Sequence, residues 1–92
     1  MKSSTTKRFW KCYDALPAEV RKQAKVAYRL FFANPYSPNL HFKRIHSNRP
    51  IFSVRINIDY RAVGILENDE ITWFWIGSHH EYETLIKKIR SV

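Results

Sequence analysis

The sequence predicts an α+β fold: an N-terminal helical hairpin packed on a small antiparallel sheet of three or four strands, followed by a C-terminal helix. Three observations predict it. Val20, Ala24, Ala27 and Phe31 recur at i, i+4, i+7 and i+11, a helical core stripe. Phe52, Val54, Ile56 and Ile58 alternate with Ser53, Arg55 and Asn57, the two-residue period of a strand. The strand-like runs that follow are joined by short turns, so they pair as an antiparallel meander. Helices and antiparallel strands in separate runs make an α+β domain with the helices expected on one face.

The elements follow in order. Residues 6–15 suit a short helix with Phe9, Trp10 and Tyr13 toward the core. The Leu16-Pro17 step ends it, because the residue before proline avoids the helical region. Pro17 then suits the first turn of a second helix, expected from about Pro17 to Ala33, and Glu19 favours that helix dipole. Arg21, Lys25 and Arg29 form a basic stripe on it, either a solvated face or a phosphate-docking ridge for RNA. The segment from Asn34 to Asn39 reads as a break. From Leu40 the period changes: Phe42, Arg44 and His46 alternate with His41, Lys43 and Ile45, and Ser47-Asn48-Arg49-Pro50 turns the chain. Strands are expected around residues 52–58, 60–66 and 71–76. Alternation puts Trp73 and Trp75 on one face of the last strand and Phe74 and Ile76 on the other, for core packing or base stacking. Ser78 with Glu81 three residues on is a capping box opening the final helix. Its apolar stripe is Tyr82, Leu85, Ile86 and Ile89, and Lys87, Lys88 and Arg90 favour its C-terminal end.

Ninety-two residues at 45% apolar content fit one globular domain and exclude a disordered chain. No stretch is long and apolar enough to span a membrane, and residues 1–8 lack the apolar centre of a signal peptide, so a cytoplasmic protein with no membrane partner is expected. The single Cys12 excludes an intrachain disulfide and is expected to be buried and inert. The net charge of +8 is unevenly placed. Residues 1–50 hold eleven Lys/Arg against Asp14 and Glu19, a net +9; residues 51–92 hold five against six acids, a net −1. That cationic half points to a polyanionic partner, nucleic acid or an acidic protein.

No Cys/His spacing fits zinc, and Glu67, Asp69 and Glu70 crowd a turn where they keep the loop solvated, so neither metal nor other cofactor is expected. Only Gly64 and Gly77 are present, which excludes a glycine-rich phosphate loop. RNA cleavage without a metal requires less. The ribose 2′-hydroxyl is the nucleophile, and the protein supplies a base, an acid and cations for the phosphate. Arg55 projects from the sheet on the face away from Phe52, Val54 and Ile56. Arg61 opens the next strand, either for RNA or for an ion pair with Asp59. His79 falls at the first helical position, where the helix N-terminus disfavours an imidazolium and suits a base. His80 reads as exposed. Lys43, Arg44 and His46 share a basic strand, with Lys43 facing opposite to the other two.

These residues carry a resemblance. Phe52-Ser-Val-Arg55, Asp59-Tyr-Arg61-Ala-Val63 and Trp75-Ile-Gly-Ser-His79, with His41-Phe-Lys-Arg-Ile upstream, fall in the order found in the RelE/ParE superfamily of small bacterial toxins, and the likeness extends over nearly the whole chain. The Gly-Ser-His element is similar to the branch that cleaves mRNA. The resemblance implies the toxin of a type II toxin–antitoxin pair, acting on ribosome-bound mRNA and held inactive by a cognate acidic antitoxin. Arg55 resembles the family's phosphate-binding arginine, Arg61 the arginine of its Tyr-Arg pair, and His79 its C-terminal catalytic histidine. Tyr82 resembles its C-terminal aromatic, with a register open by one or two residues. The upstream base corresponds to Lys43, His46 or His41, and the sequence does not choose. Superfamily members that inhibit DNA gyrase without catalysis, and inactive members that only bind their antitoxin, remain the alternatives.

Overall fold

The computed structural model describes residues 1–91. The order is β1 (Lys2–Thr5), α1 (Lys7–Asp14), α2 (Ala18–Ala33), a 3₁₀ turn (Pro38–Leu40), β2 (Lys43–Arg44), β3 (Ile51–Asn57), β4 (Tyr60–Glu67), β5 (Glu70–Ser78) and α3 (His79–Arg90). The strands form one sheet in the order β1-β5-β4-β3-β2. The helical hairpin, the meander and the C-terminal helix match the expected α+β class, with corrections.

The sheet has five strands rather than three or four. β1 runs parallel to β5, from Lys2 opposite Glu70 to Thr5 opposite Trp73. Its Lys-Ser-Ser-Thr sequence has no apolar alternation. Pairing and side-chain bonds hold it instead: the hydroxyls of Ser4 and Thr72 lie 3.1 Å apart, and Trp73 Nε1 donates to Ser3 Oγ at 3.1 Å. A short polar edge strand also discourages unwanted strand pairing. At the opposite edge β2 is only two residues long. His41 takes a left-handed conformation at φ 47° before it, and the chain turns away after Ile45.

The helices cover both faces, not one. Val20, Ala24, Ala27 and Phe31 of α2 pack with Phe9 onto Val54, Ala62, Ile71, Trp73 and Ile76. Phe31 meets Phe42 and Trp73 edge-on at 5.1 and 5.3 Å, arrangements worth about 0.5–1.5 kcal/mol each beyond burial. On the far face Tyr82, Leu85, Ile86 and Ile89 of α3 cover Ile45, Ile51, Val63 and Trp75. The two tryptophans therefore do not share a face. Val63 pairs with Trp75 and the next residue, Gly64, with Trp73, so Phe74 is the extra residue of a bulge that reverses the alternation. Trp73 enters the α2 core and Trp75 the α3 core, which removes both from base stacking. Ile58 is 71% exposed in the β3–β4 turn, outside the stripe it was expected to extend. Cys12 is half-buried and packs against both clusters.

Gly64 marks a close approach between β4 and β5. A Cβ there would lie 2.8 Å from Trp73 Cε3 and 3.0 Å from both Ile71 Cγ1 and the Thr72 carbonyl oxygen. Gly64→Ala is expected to destabilise the fold by about 1–3 kcal/mol through overpacking. A urea denaturation midpoint unchanged from wild type would refute this.

Candidate functional site

The face covered by α3 brings several of the sequence candidates together. Arg55 on β3 stands directly opposite Arg61 on β4, so their side chains leave the same face with Cβ atoms about 4.5–5.5 Å apart. Like charges so placed repel and weaken the sheet. Among the described residues neither arginine forms an ion pair, and the pairing of Arg61 with Asp59 that the sequence allowed is absent. Arg61 Nη1 is buried with no hydrogen-bond partner. Leaving such a donor unsatisfied costs about 1–3 kcal/mol or more. Gly77 faces Arg61 from β5, and the Trp75 indole lies over it: a Cβ at Gly77 would stand 2.6 Å from Trp75 Cζ2.

Lys43 extends this cationic face. It pairs with Ser53, two residues before Arg55 on the same side of β3, which sets its Cα roughly 8–9 Å from that of Arg55 by strand geometry. Beyond Ser53, β2 has ended and β3 is a free edge. A cleft of about 410 Å³ lies between that edge and α2, lined in part by Arg55, Asn57, Lys22 and Asn39.

His79 stands at the rim. The pairs Arg61–Gly77 and Tyr60–Ser78 bring the end of β5 beside the start of β4, and the His79 N–H donates to the Asp59 carbonyl at 2.6 Å. The capping box then turns the chain into α3: Ser78 Oγ accepts from the Glu81 N–H at 3.2 Å, and Glu81 Oε1 accepts from the Ser78 N–H at 3.1 Å. The His79 side chain is 48% exposed, and its Nε2 lies 3.1 Å from Glu83 Oε1. Its ring stacks on Tyr82 at 6.0 Å. Tyr82 is 5% exposed, and its hydroxyl donates to Ser53 Oγ at 3.3 Å. Tyr82 thus forms the floor beneath His79, with its hydroxyl already engaged.

The other sequence candidates do not join this group. His46 is 7% exposed, and both its ring nitrogens are used: Nδ1 accepts from the Asn48 and Arg49 N–H groups at 3.0 Å each, and Nε2 lies 3.2 Å from the Ile89 carbonyl. That pattern fixes the Nε2–H tautomer and ties the 46–49 turn to the end of α3, leaving no nitrogen for proton transfer. Arg44 lies opposite Phe52, on the other face from Lys43, and its Nε donates to the carbonyls of His46 and Arg49. Arg21 donates to the Leu16 carbonyl at 2.5 Å and stabilises the α1–α2 turn instead of forming a ridge. Lys25 and Arg29 line a groove of about 690 Å³ between β1, α1 and α2, with Trp10 and Tyr28, on the hairpin side of the sheet. His41 and His80 are exposed.

Two residues of the site escaped the sequence reading. Ser53 is 1% exposed beneath α3, and its even spacing from Arg55 was the available signal. Glu83 lies four residues after His79 on a helix, the spacing of side-chain neighbours.

Among the described residues no group of three His, Cys, Asp or Glu side chains is placed to hold a metal ion, and no helix is long and apolar enough to cross a membrane.

Comparison with known proteins gives the following. The family described as ParE-like toxin domain matches residues 18–84. The chain is similar to a solved RelB–RelE antitoxin–toxin complex from Methanococcus jannaschii, at 18% identity and TM-score 0.73 over 89% of this chain and 96% of that one. It is similar to YafQ from Escherichia coli, at 14% identity and TM-score 0.69 over 88% and 96%. It is also similar to a YoeB/ParE toxin from Agrobacterium tumefaciens, at 16% identity and TM-score 0.68 over 86% and 99%. Among curated protein sequences none matches.

Proposed function

The chain belongs to the ParE-like toxin family, and from that premise we propose that it is the toxin of a toxin–antitoxin pair and a metal-independent endoribonuclease acting on ribosome-bound mRNA in the cytoplasm. The observation that carries this reading is the opposed pair Arg55 and Arg61, neither of which forms an ion pair among the described residues, with Arg61 Nη1 finding no hydrogen-bond partner there. A sheet tolerates that arrangement when an anion completes it.

The scissile phosphate bridges the two arginines. The 2′-oxygen attacks phosphorus and loses its proton to a base. The bond from phosphorus to the 5′-oxygen breaks, and that oxygen takes a proton from an acid. The products are a 2′,3′-cyclic phosphate and a 5′-hydroxyl. His79 exchanges one of the two protons. Lys43 serves the second transfer or binds phosphate, since His46 is committed to the fold. The arginines stabilise the charge that grows on the phosphoryl oxygens, the kind of interaction that contributes most when fixed in advance.

The partner is an acidic antitoxin. Support comes from the net +9 of residues 1–50 and from the RelE neighbour, which was solved with RelB. The ParE-like family description favours a second reading, a gyrase inhibitor that cleaves nothing.

One experiment tests the chemistry. EDTA-treated protein is mixed with ribosomes programmed with mRNA that is either all-ribose or 2′-deoxy at the scissile position. Cleavage of the ribose substrate alone is expected. Cleavage of the 2′-deoxy substrate overturns the mechanism. Growth arrest in cells without any mRNA cleavage selects the gyrase reading.

A further inference from the structure

We propose that Glu83 is a positioning residue for His79: its carboxylate holds Nε2 and leaves Nδ1 as the nitrogen that exchanges a proton at the cationic face. The inference rests on the nuclease reading and deepens it. A neutral imidazole has one N–H and one lone pair, and the partner of one nitrogen decides the role of the other. Nε2 lies 3.1 Å from Glu83 Oε1, and an ionised carboxylate only accepts, so the N–H is on Nε2 and the lone pair on Nδ1.

Two further contacts make the placement specific. The neighbouring acid, Glu81, cannot substitute, because its Oε1 already accepts from the Ser78 N–H and hydroxyl at 3.1 and 2.9 Å. The ring itself is held against Tyr82, which is buried and anchored to Ser53 on β3. Tyr82 limits how the ring tilts and Glu83 limits how it turns. When Nδ1 takes up a proton, both ring nitrogens carry hydrogen, and the same carboxylate faces the new positive charge.

The test compares wild type with Glu83→Ala and Glu83→Gln, using folded protein with ¹⁵N-labelled histidine. Imidazole nitrogen shifts report which nitrogen carries the proton. Wild type and Glu83→Gln, which keeps an acceptor oxygen, are expected to show the Nε2–H form, and Glu83→Ala a mixture of tautomers. Partners that orient a functional histidine are typically worth about 10–100-fold. At this exposed position kcat for mRNA cleavage is expected to fall about tenfold in Glu83→Ala, with KM unchanged and partial rescue in Glu83→Gln. Identical tautomer patterns in wild type and Glu83→Ala overturn the proposal, as does an altered pattern with unaltered kcat. A wild type with the expected spectrum but no nuclease activity overturns the nuclease reading and, with it, the proton-exchange role, while the spectra retain the Glu83–His79 contact as structural.

Discussion

His79→Ala is expected to slow single-turnover mRNA cleavage by about 10²–10⁴-fold, the usual contribution of a general acid–base group, while leaving RNA affinity nearly unchanged. The size of the effect follows from what the residue does and does not hold together. Its ring is half exposed, stacks on Tyr82 and meets Glu83. The start of α3 depends on backbone and on Ser78 and Glu81 instead: the N–H to the Asp59 carbonyl survives any side chain at 79, and the capping box does not use the imidazole. The helix and its core stripe should therefore persist in the variant. Affinity should persist because the cations of the site lie on β2, β3 and β4. Circular dichroism and a filter-binding titration would verify both points beside the kinetics. Full activity in the variant would remove His79 from proton transfer, leaving Lys43 as the remaining proton donor on that face.

Which parts of this were legible in the sequence follows from how local the signals are. The α2 stripe, the α3 stripe and the Ser78–Glu81 capping box depend on residues three or four apart, and all appear as read. The alternation of β3 correctly sent Arg55 to the face opposite Phe52, Val54 and Ile56, and the short β3–β4 turn brings Arg61 opposite it. What was not legible depends on distant partners. β1 carries no apolar period and exists through its pairing with β5. The bulge at Phe74 separates Trp73 from Trp75 although nothing at 73–75 departs from a regular strand pattern. Which face α3 covers is decided by that reversal together with the α2 core, so the placement of all helices on one face failed. His46 looked like a base because histidine at a strand edge is consistent with that role; the two N–H groups it accepts belong to a turn whose shape the sequence does not state. Arg21 on the α2 basic stripe and Arg44 on the basic strand were candidate RNA ligands from charge and spacing, and both donate to nearby carbonyl oxygens.

Arg55→Ala is expected to lower cleavage by about 10²–10³-fold, the loss seen when one fixed donor to a transition-state oxyanion is removed, with folding stability unchanged or slightly raised. The two halves of this expectation have one cause. Arg55 and Arg61 are opposed like charges, and no acid in the described residues pairs with either. Removing Arg55 relieves the repulsion that directly opposed charges impose on a strand pair, and it disrupts no ion pair. Substitutions away from core, caps and buried networks usually change stability by no more than about half a kcal/mol. A residue retained for the fold would behave in the opposite way, losing stability and keeping activity. Arg61→Ala is the informative companion, because Nη1 of Arg61 is buried and unpaired. Truncating it removes an unsatisfied donor, so stability should again hold while cleavage falls. Thermal denaturation and single-turnover cleavage on the same preparations separate the outcomes. Either variant that unfolds near the growth temperature, or that cleaves mRNA at the wild-type rate, would show that the opposed arginines are not a phosphate site.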